Sequence, residues 1–203
     1  MKENKEKKDL DVFKIITLGD SGVGKTSIIK RFCENKFDDN NQSTIGINFS
    51  KKEMTANKND KIILKLLDTC GQEKYRSLAK SYYKNAHAAL FLFSMNDEES
   101  FDTINYWIES FNNNNNEENI PKYLVGTKND LEIKVNNNLI DDFVRKNNIP
   151  FMSTSAKDNN NIDKLFEDIG KKIYLNFIKK GAQKQTTIKI KFKRAKKGCC
   201  DMT

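Results

Sequence analysis

The sequence has few residues that break or cross-link a chain: its 203 residues include two prolines, nine glycines and four cysteines. Four cysteines, two of them adjacent and none in a CxxC pair, do not form a disulfide framework or a cysteine metal site. The longest apolar run, Ala88–Phe93, is far shorter than the roughly 20 residues that a bilayer-spanning helix needs. The first ten residues are charged, so we expect no transmembrane helix, no secretory signal and a reducing cytosol as the compartment.

Arginine is also scarce, with four residues against 32 lysines, yet the net charge is +8. The excess lies in residues 179–203, which hold nine cations and one acid, so the rest of the chain is balanced. A basic arm of this composition suits an anionic surface. Nucleic acid is an alternative partner, but Phe192 is the only aromatic residue of the arm that could stack on a base. We therefore expect no nucleic-acid partner.

Short apolar runs alternate with amphipathic stretches along the chain, which predicts strands that alternate with helices. The predicted strands are 12–18, 62–67, 88–93, 123–125 and 149–152. The predicted helices are 25–33, 75–85, 101–111, 139–146 and 162–177. This alternation implies an α/β fold with a doubly wound, mainly parallel sheet between two layers of helices. Residues 46–54 add a sixth, antiparallel strand, because only a short turn separates them from the next run.

The same pattern divides the chain into three parts. Residues 1–10 form a charged extension, residues 11–178 one domain, and residues 179–203 a basic tail. The tail has no apolar periodicity strong enough to predict an element, and we expect a mobile arm there.

The segment after the first predicted strand, GDSGVGKT, satisfies the pattern GxxxxGK[ST]. Between a strand and a helix, the backbone N–H groups of such a loop cradle phosphate oxygens, and the helix N-terminus adds positive potential. Lys25 can reach the terminal phosphates and the Thr26 hydroxyl can ligate Mg²⁺. The alternative, a glycine turn that merely starts a helix, fits this placement less well. The predicted phosphate-binding residues are Ser21, Gly22, Val23, Gly24, Lys25, Thr26 and Ser27.

A second motif, DTCGQE, ends the strand predicted at 62–67. It puts the carboxylate of Asp68 at a strand end beside the phosphate loop, where it can hold Mg²⁺ through water. Gly71 offers a backbone N–H to a γ-phosphate with no side chain in the way, and Gln72 can orient an attacking water. The alternative for Asp68 alone is an ordinary turn aspartate.

Two further motifs bear on the identity of the base: TKND follows the strand at 123–125, and SAK follows the strand at 149–152. An ionised Asp130 can accept hydrogen bonds from guanine N1 and the 2-amino group, a pattern that adenine does not offer. Guanine is therefore favoured over adenine. The stem of Lys128 can lie along the base plane, and a backbone N–H of residues 155–157 can reach the guanine oxygen. SAK alone is a common sequence, and its position in the series gives it weight.

Together, GDSGVGKT, DTCGQE, TKND and SAK resemble the motifs of the Ras superfamily of small GTPases over residues 12–178. Three segments are similar to the Rab branch, the regulators of vesicle traffic: STIGINF at 43–49, YYKNAH at 82–87 and the terminal CCDMT. The resemblance implies the P-loop fold of a small G domain. It also implies a switch that binds GTP or GDP with Mg²⁺, hydrolyses GTP slowly and recruits effectors when GTP is bound.

The resemblance assigns roles to single residues. Thr44 is the implied switch I threonine, whose hydroxyl ligates Mg²⁺ and whose N–H meets the γ-phosphate, and Phe37 packs edge-on against guanine. Residues 36–50 and 69–85 are the implied switches. Gln72 and Lys25 are the implied catalytic residues, one placing water and the other stabilising charge. The nucleotide-binding set also includes Gly71, Thr127, Lys128, Asp130, Ser155, Ala156 and Lys157, and the metal set is Thr26, Thr44 and Asp68. The implied effector and regulator interface contains Ile45, Phe49, Leu67 and Tyr82.

Three residues depart from the Rab pattern. Thr127 stands where most Rab proteins have asparagine, so a contact to the base would go through a hydroxyl. Leu67 replaces a tryptophan and Cys70 an alanine. No arginine finger is evident, so the resemblance implies slow turnover that depends on a GTPase-activating protein. A nucleotide exchange factor, effectors, a Rab escort protein and a GDP-dissociation inhibitor are the other implied partners.

Cys199 and Cys200 lie in a terminal CCxxx sequence. This sequence fits modification by two geranylgeranyl groups better than it fits a CaaX box, because Asp201 would be the first of the two 'a' residues of that box. One lipid chain binds a membrane reversibly, whereas two chains anchor stably, and nearby cations add attraction to anionic lipids. The implied location is the cytoplasmic face of an endomembrane, with a chaperone-bound cytosolic pool. Two alternatives stay open: a nucleotide-locked adaptor with little hydrolysis, and a Ras- or Rho-type signalling GTPase.

Overall fold

Six strands form a single sheet in the computed structural model, which describes residues 10–39, 44, 46–57, 60–69, 81–115, 117 and 119–197. The strands are β1 (Asp11–Leu18), β2 (Ile47–Asn57), β3 (Asp60–Thr69), β4 (Ala88–Ser94), β5 (Lys122–Thr127) and β6 (Phe151–Ser153). Their spatial order is β2-β3-β1-β4-β5-β6. Only β2 and β3 pair antiparallel. The predicted six-stranded, mostly parallel sheet is confirmed.

The described residues contain five helices that flank the sheet. They are α1 (Lys25–Glu34), α2 (Glu98–Asp102), α3 (Ile104–Asn114), α4 (Asn137–Asn147) and α5 (Ile162–Lys197). Residues 81–83 are also helical. The rest of the helix predicted at 75–85 lies outside the described residues.

The backbone of α5 continues to Lys197, although the sequence predicted no element after residue 178. A helix that is already formed extends without a second nucleation step, because each added residue contributes one backbone hydrogen bond. Residues 179–197 contain no proline that would interrupt this series. The missing apolar periodicity therefore did not indicate a missing helix.

The sheet separates two apolar clusters, so that the fold has three layers. Phe13 and Ile15 of β1 belong to the cluster beneath α1 and α5, where the rings of Phe32 and Phe166 stack with centroids 4.1 Å apart. Ile16 belongs to the cluster on the opposite face, beneath α3 and α4. Burial on both faces explains why the central strands read as continuous apolar runs rather than as alternating ones.

The core role of α5 is testable with Phe166→Ala, a change at a fully buried side chain. Loss of the ring should lower the free energy of unfolding by about 3–5 kcal/mol, because transfer energy is lost and a cavity remains. Leu175→Ala is the matched control, since Leu175 lies on the same helix and is 54% exposed. Urea unfolding measures the free energy of unfolding of both variants. The dependence of this free energy on urea concentration should be the same as in the wild type. Equal losses in the two variants would contradict the placement of Phe166.

Candidate nucleotide-binding site

Four loops meet at one edge of the sheet, because β1, β3, β5 and β6 run parallel and end on the same side. They border a cavity of about 400 Å³, a size typical of small-molecule sites. Its lining includes most of the predicted site residues: Ser21, Gly22, Gly24, Lys25, Thr26, Ser27, Phe37, Thr44, Thr127, Lys128, Asp130, Ala156 and Lys157. Val23, Asp68 and Ser155 are buried next to it. Gly71 and Gln72 lie outside the described residues.

The loop between β1 and α1 has a backbone shape that depends on glycine. A Cβ atom on Gly19 would collide with the backbone carbonyl of Leu92 in β4. Gly24, directly before α1, has a φ of +99°, in the region that side chains disfavour. The loop can therefore pack closely against β4 and turn sharply into the helix. A loop of this kind, joined to a helix N-terminus, presents backbone N–H groups to an anion.

Lys25 places a positive charge in this loop. Its ammonium group donates hydrogen bonds to the carbonyl oxygens of Gly19, at 2.9 Å, and Asp20, at 2.6 Å. The residue is only 5% exposed. Its charge adds to the positive potential of the N-terminus of α1, so both favour a phosphate group at this place.

Three side-chain oxygens from separate parts of the chain converge beside the loop. The Thr26 hydroxyl lies 2.6 Å from the Thr44 hydroxyl and donates to Oδ2 of Asp68 at 2.7 Å. Oδ1 of Asp68 is buried and has no hydrogen-bond partner in the described part of the chain. Burial raises the pKa of the Asp68 carboxyl, while the Thr26 hydroxyl, Lys25 and Lys30 act in the opposite direction. Hydroxyl and carboxylate oxygens with an unpaired acceptor fit Mg²⁺, which prefers oxygen ligands.

Asp130 is held in place on the far side of the cavity. The hydroxyl of Ser155 donates to Oδ1 of Asp130 at 2.6 Å and accepts a hydrogen bond from the N–H of Asp158 at 3.0 Å. Neighbouring Lys128 has a φ of +56°, a conformation that non-glycine residues seldom adopt outside ligand sites and turns. The pairing of Asp130 with Ser155 joins the TKND and SAK loops.

Thr127 braces the phosphate loop. Its hydroxyl forms hydrogen bonds with the carbonyl oxygens of Val23 and of Phe93, the latter at 3.0 Å. A hydroxyl has one proton to donate, so these two carbonyls share it. The Thr127 hydroxyl, which we expected to contact the base, therefore donates its proton to backbone carbonyls of the protein. Thr127 still lines the cavity.

Sequence reasoning missed Arg31, which connects α1 to the SAK loop. Its guanidinium donates to the carbonyl oxygens of Ala156 at 2.6 Å, Lys157 at 3.2 Å and Asn35 at 3.0 Å. No local motif reveals contacts across 125 positions of sequence. One available signal was composition, because an arginine in a chain with so many lysines suggests that its planar, five-donor group is needed.

A second contact that the sequence did not reveal fixes Asp20 within the phosphate loop. The Asp20 carboxylate accepts hydrogen bonds from the Thr103 hydroxyl at 2.6 Å and from the indole N–H of Trp107 at 3.0 Å. Trp107, the only tryptophan, is 1% exposed and lies in α3. The loop is thus tied to the helical layer as well as to β4.

Two of the predicted interface residues are accessible. Phe49 is 47% exposed and Tyr82 is 37% exposed, and their ring centroids are 6.0 Å apart. Leu67, which the sequence placed with them, is fully buried. It pairs with Phe49 across β2 and β3. Its side chain, which is smaller than the tryptophan of the Rab pattern, lies within the apolar core. Leu67 is therefore a core residue in this conformation and not a direct contact for a partner. Ile45, Cys199 and Cys200 lie outside the described residues.

The sheet, the glycine-dependent loop after β1 and the oxygen cluster at Asp68 define a P-loop nucleotide-binding protein. A family model described as Ras family matches residues 14–175. Ras-related protein Rab-5B of Plasmodium falciparum is 38% identical over 164 residues, which cover 81% of this chain and 79% of the relative. Rab-11B of Dictyostelium discoideum is 38% identical over 82% of this chain and 76% of the relative. Rab-13 of Bos taurus is 36% identical over 81% of each chain.

The chain belongs to the Ras family and, within it, to the Rab proteins. It is a small GTPase that binds GTP and GDP and works as a switch in vesicle trafficking. Its partners belong to the general classes of regulators and effectors. The predicted family and enzymatic class are confirmed. Within the described residues, no helix has the length and apolar character needed to cross a membrane.

The connection made by Arg31 predicts an effect on nucleotide release. Arg31→Ala should speed the dissociation of GDP about tenfold, because each lost hydrogen bond to a charged group contributes about 1.5–3 kcal/mol, only part of it to binding. Displacement of a fluorescent GDP analogue measures the rate. Arg145→Ala is the control, since Arg145 pairs with Asp142 on the exposed surface of α4. If both variants release GDP at the wild-type rate, Arg31 does not position the SAK loop.

Proposed function

We propose that the protein is a magnesium-dependent GTP/GDP switch whose GTP-bound form recruits effectors to the cytoplasmic face of an endomembrane. The observation that supports it best is the convergence of Thr26, Thr44 and Asp68 beside the phosphate loop. Thr44 lies in the implied first switch, and Asp68 directly precedes the second. A ligand that binds these oxygens together therefore connects both switch segments to the nucleotide, and its loss releases them.

In this proposal the phosphates of GTP lie in the loop from Gly19 to Thr26. Lys25 and the N-terminus of α1 stabilise negative charge that develops on the γ-phosphate oxygens. Mg²⁺, held by Thr26 and Thr44 and through water by Asp68, would neutralise further phosphate charge. Gln72, which lies outside the described residues, orients a water for in-line attack on the γ-phosphorus. The bond to the β-phosphate oxygen breaks, which yields GDP and inorganic phosphate.

Recognition of guanine is assigned to the loops after β5 and β6. Asp130, oriented by Ser155, accepts hydrogen bonds from N1 and the 2-amino group. A backbone N–H of Ala156 or Lys157 donates to the guanine oxygen, the stem of Lys128 lies along one face of the base, and Phe37 packs edge-on against it. The lining of the cavity by Phe37, Lys128, Asp130, Ala156 and Lys157 supports this arrangement.

Membrane anchoring is assigned to the basic tail at 179–203, beyond a G domain at 11–178 and an extension at 1–10. Geranylgeranyl groups on Cys199 and Cys200 would supply the two chains that stable anchoring needs. A Rab escort protein and a GDP-dissociation inhibitor are the partners that such chains require. A GTPase-activating protein and an exchange factor complete the cycle, because the chain supplies no evident arginine finger.

The metal assignment predicts opposite effects of Asp68→Asn on binding and on stability. Wild-type protein should retain GDP in magnesium buffer and release it about tenfold faster after chelation, and the variant should lose that difference. Because burial raises the pKa of Asp68, the wild type is most stable below the unfolded pKa and loses stability as the pH rises through the folded pKa. The metal-free variant should therefore unfold at a higher temperature than the wild type at pH 7.

Dissociation of a fluorescent GDP analogue and thermal unfolding provide the two measurements. Asp141→Asn is the control, because Asp141 is an exposed carboxylate on α4. It should change neither result. A wild type that fails to retain guanine nucleotide in magnesium buffer would overturn the proposed function. Unaltered magnesium dependence in Asp68→Asn would overturn only the metal assignment.

The assignment of Gln72 predicts that Gln72→Leu slows assisted GTP hydrolysis about 100-fold, because the attacking water is no longer held in position. Single-turnover phosphate release with an excess of an activating domain measures the rate, and GDP retention should remain normal. An unchanged rate would contradict the role of Gln72. A wild type that binds GTP but does not hydrolyse it with any activating domain would favour the nucleotide-locked adaptor.

A further inference from the structure

Asp20 puts a negative charge into the loop between β1 and α1, whose other features favour the binding of an anion. The ammonium group of Lys25 donates a hydrogen bond to the backbone carbonyl oxygen of this same residue at 2.6 Å. A carboxylate in the loop repels a phosphate that binds there, and the repulsion is strong because the site is partly buried. The loop that attracts phosphate through backbone N–H groups and Lys25 therefore also contains a group that opposes phosphate.

Two donors of the helical layer fix the direction of the Asp20 carboxylate. The indole N–H of Trp107 donates to Oδ1 at 3.0 Å, and the hydroxyl of Thr103 donates to Oδ2 at 2.6 Å. Each oxygen thus has its own donor, and hydrogen bonds to an ionised acceptor are stronger than those between neutral groups. Neither donor carries a charge, so the negative charge of Asp20 is oriented by α3 but is not neutralised by it.

The hydroxyl of Thr103 binds Asp20 instead of capping its own helix. Thr103 is the N-cap of α3, a position at which the side-chain oxygen of threonine usually accepts a hydrogen bond from the first turn. In α3, all of whose residues the structure describes, the cap makes no such hydrogen bond. The hydroxyl lies 2.6 Å from Asp20 and 3.1 Å from the carbonyl oxygen of Ser100. This geometry favours control of Asp20 over stabilisation of the helix.

The contact with Trp107 has a structural explanation of its own. The side chain is 1% exposed, and a buried indole N–H needs an acceptor. An amide oxygen at position 20 would satisfy this need as well as a carboxylate oxygen does. Burial of the indole therefore explains an acceptor at position 20 but does not explain a negative charge there.

We propose that Thr103 and Trp107 are positioning residues for nucleotide binding, which keep the Asp20 carboxylate turned away from the Lys25 ammonium group. When a donor is lost, the carboxylate rotates about its Cα–Cβ bond and competes with the nucleotide phosphates for that ammonium group. This rotation between staggered positions needs no movement of the backbone. Carboxylate and phosphate oxygens both form strong hydrogen bonds with an ammonium group. The inference rests on the proposed function, which places the phosphates beside Lys25.

Thr103→Val removes the hydroxyl and keeps the shape of the side chain, and it should speed the release of GDP about fivefold. The measurement uses the full chain in magnesium buffer, loaded with a fluorescent GDP analogue that is displaced by excess GDP. Thr103→Ser retains a hydroxyl and should release GDP at the wild-type rate. Thr55→Val is the matched control, because it makes the same change at an exposed threonine of β2, and it should leave the rate unchanged.

Asp20→Asn distinguishes competition with phosphate from a purely structural contact. The variant should release GDP about twofold to threefold more slowly than the wild type, because the charge that repels phosphate is gone. Thr103→Val should no longer speed release when it is combined with Asp20→Asn. A purely structural contact predicts the opposite sign, since the amide group of asparagine would face one of the two donors and weaken the contact. Asp102→Asn, at an exposed carboxylate of α2, is the control and should not change the rate.

Three results would overturn the inference: an unchanged rate in Thr103→Val, a rate in Asp20→Asn that is not below that of the wild type, or faster release in the double variant than in Asp20→Asn. Thermal unfolding in the presence of GDP shows whether each variant folds. If Thr103→Val does not fold, the direction of the change in Asp20→Asn still decides. A wild type that does not retain GDP is a separate failure, because it overturns the proposed function and is measured before any variant is made.

Discussion

The buried carboxylate of Asp68 is the constraint on which the rest of the site depends. It is 4% exposed, and one of its oxygens has no partner among the described residues. A buried charge of this kind is unfavourable unless it is paired. The Thr26 hydroxyl and two lysines compensate part of the penalty, and a divalent cation would compensate the remainder. The hydroxyls of Thr26 and Thr44 must therefore stay close to the carboxylate of Asp68. This requirement positions the start of α1 and Thr44 relative to the end of β3.

The loops of the site are braced from different layers of the fold, so that their geometry does not depend on the nucleotide alone. Asp20 is held by α3, Val23 by the hydroxyl of Thr127 at the end of β5, and Ala156 by Arg31 on α1. Each brace joins a backbone or carboxylate group of a loop to a regular element. Pre-positioned loops lose less conformational entropy when a ligand binds. By contrast, Thr44 joins the cluster from outside the helices and strands, which suits a residue that responds to the nucleotide.

The sequence was sufficient where chemistry is local. The phosphate loop, the strand that ends at Asp68 and the alternation of strands and helices follow from short patterns, because backbone conformation and strand burial are encoded by neighbouring residues. It was insufficient where the outcome depends on distant partners. The contacts of Arg31, the use of the Thr127 proton and the burial of Leu67 are set by residues far along the chain. The length of α5 escaped prediction for another reason: a helix can continue without the apolar stripe that makes it visible in a sequence.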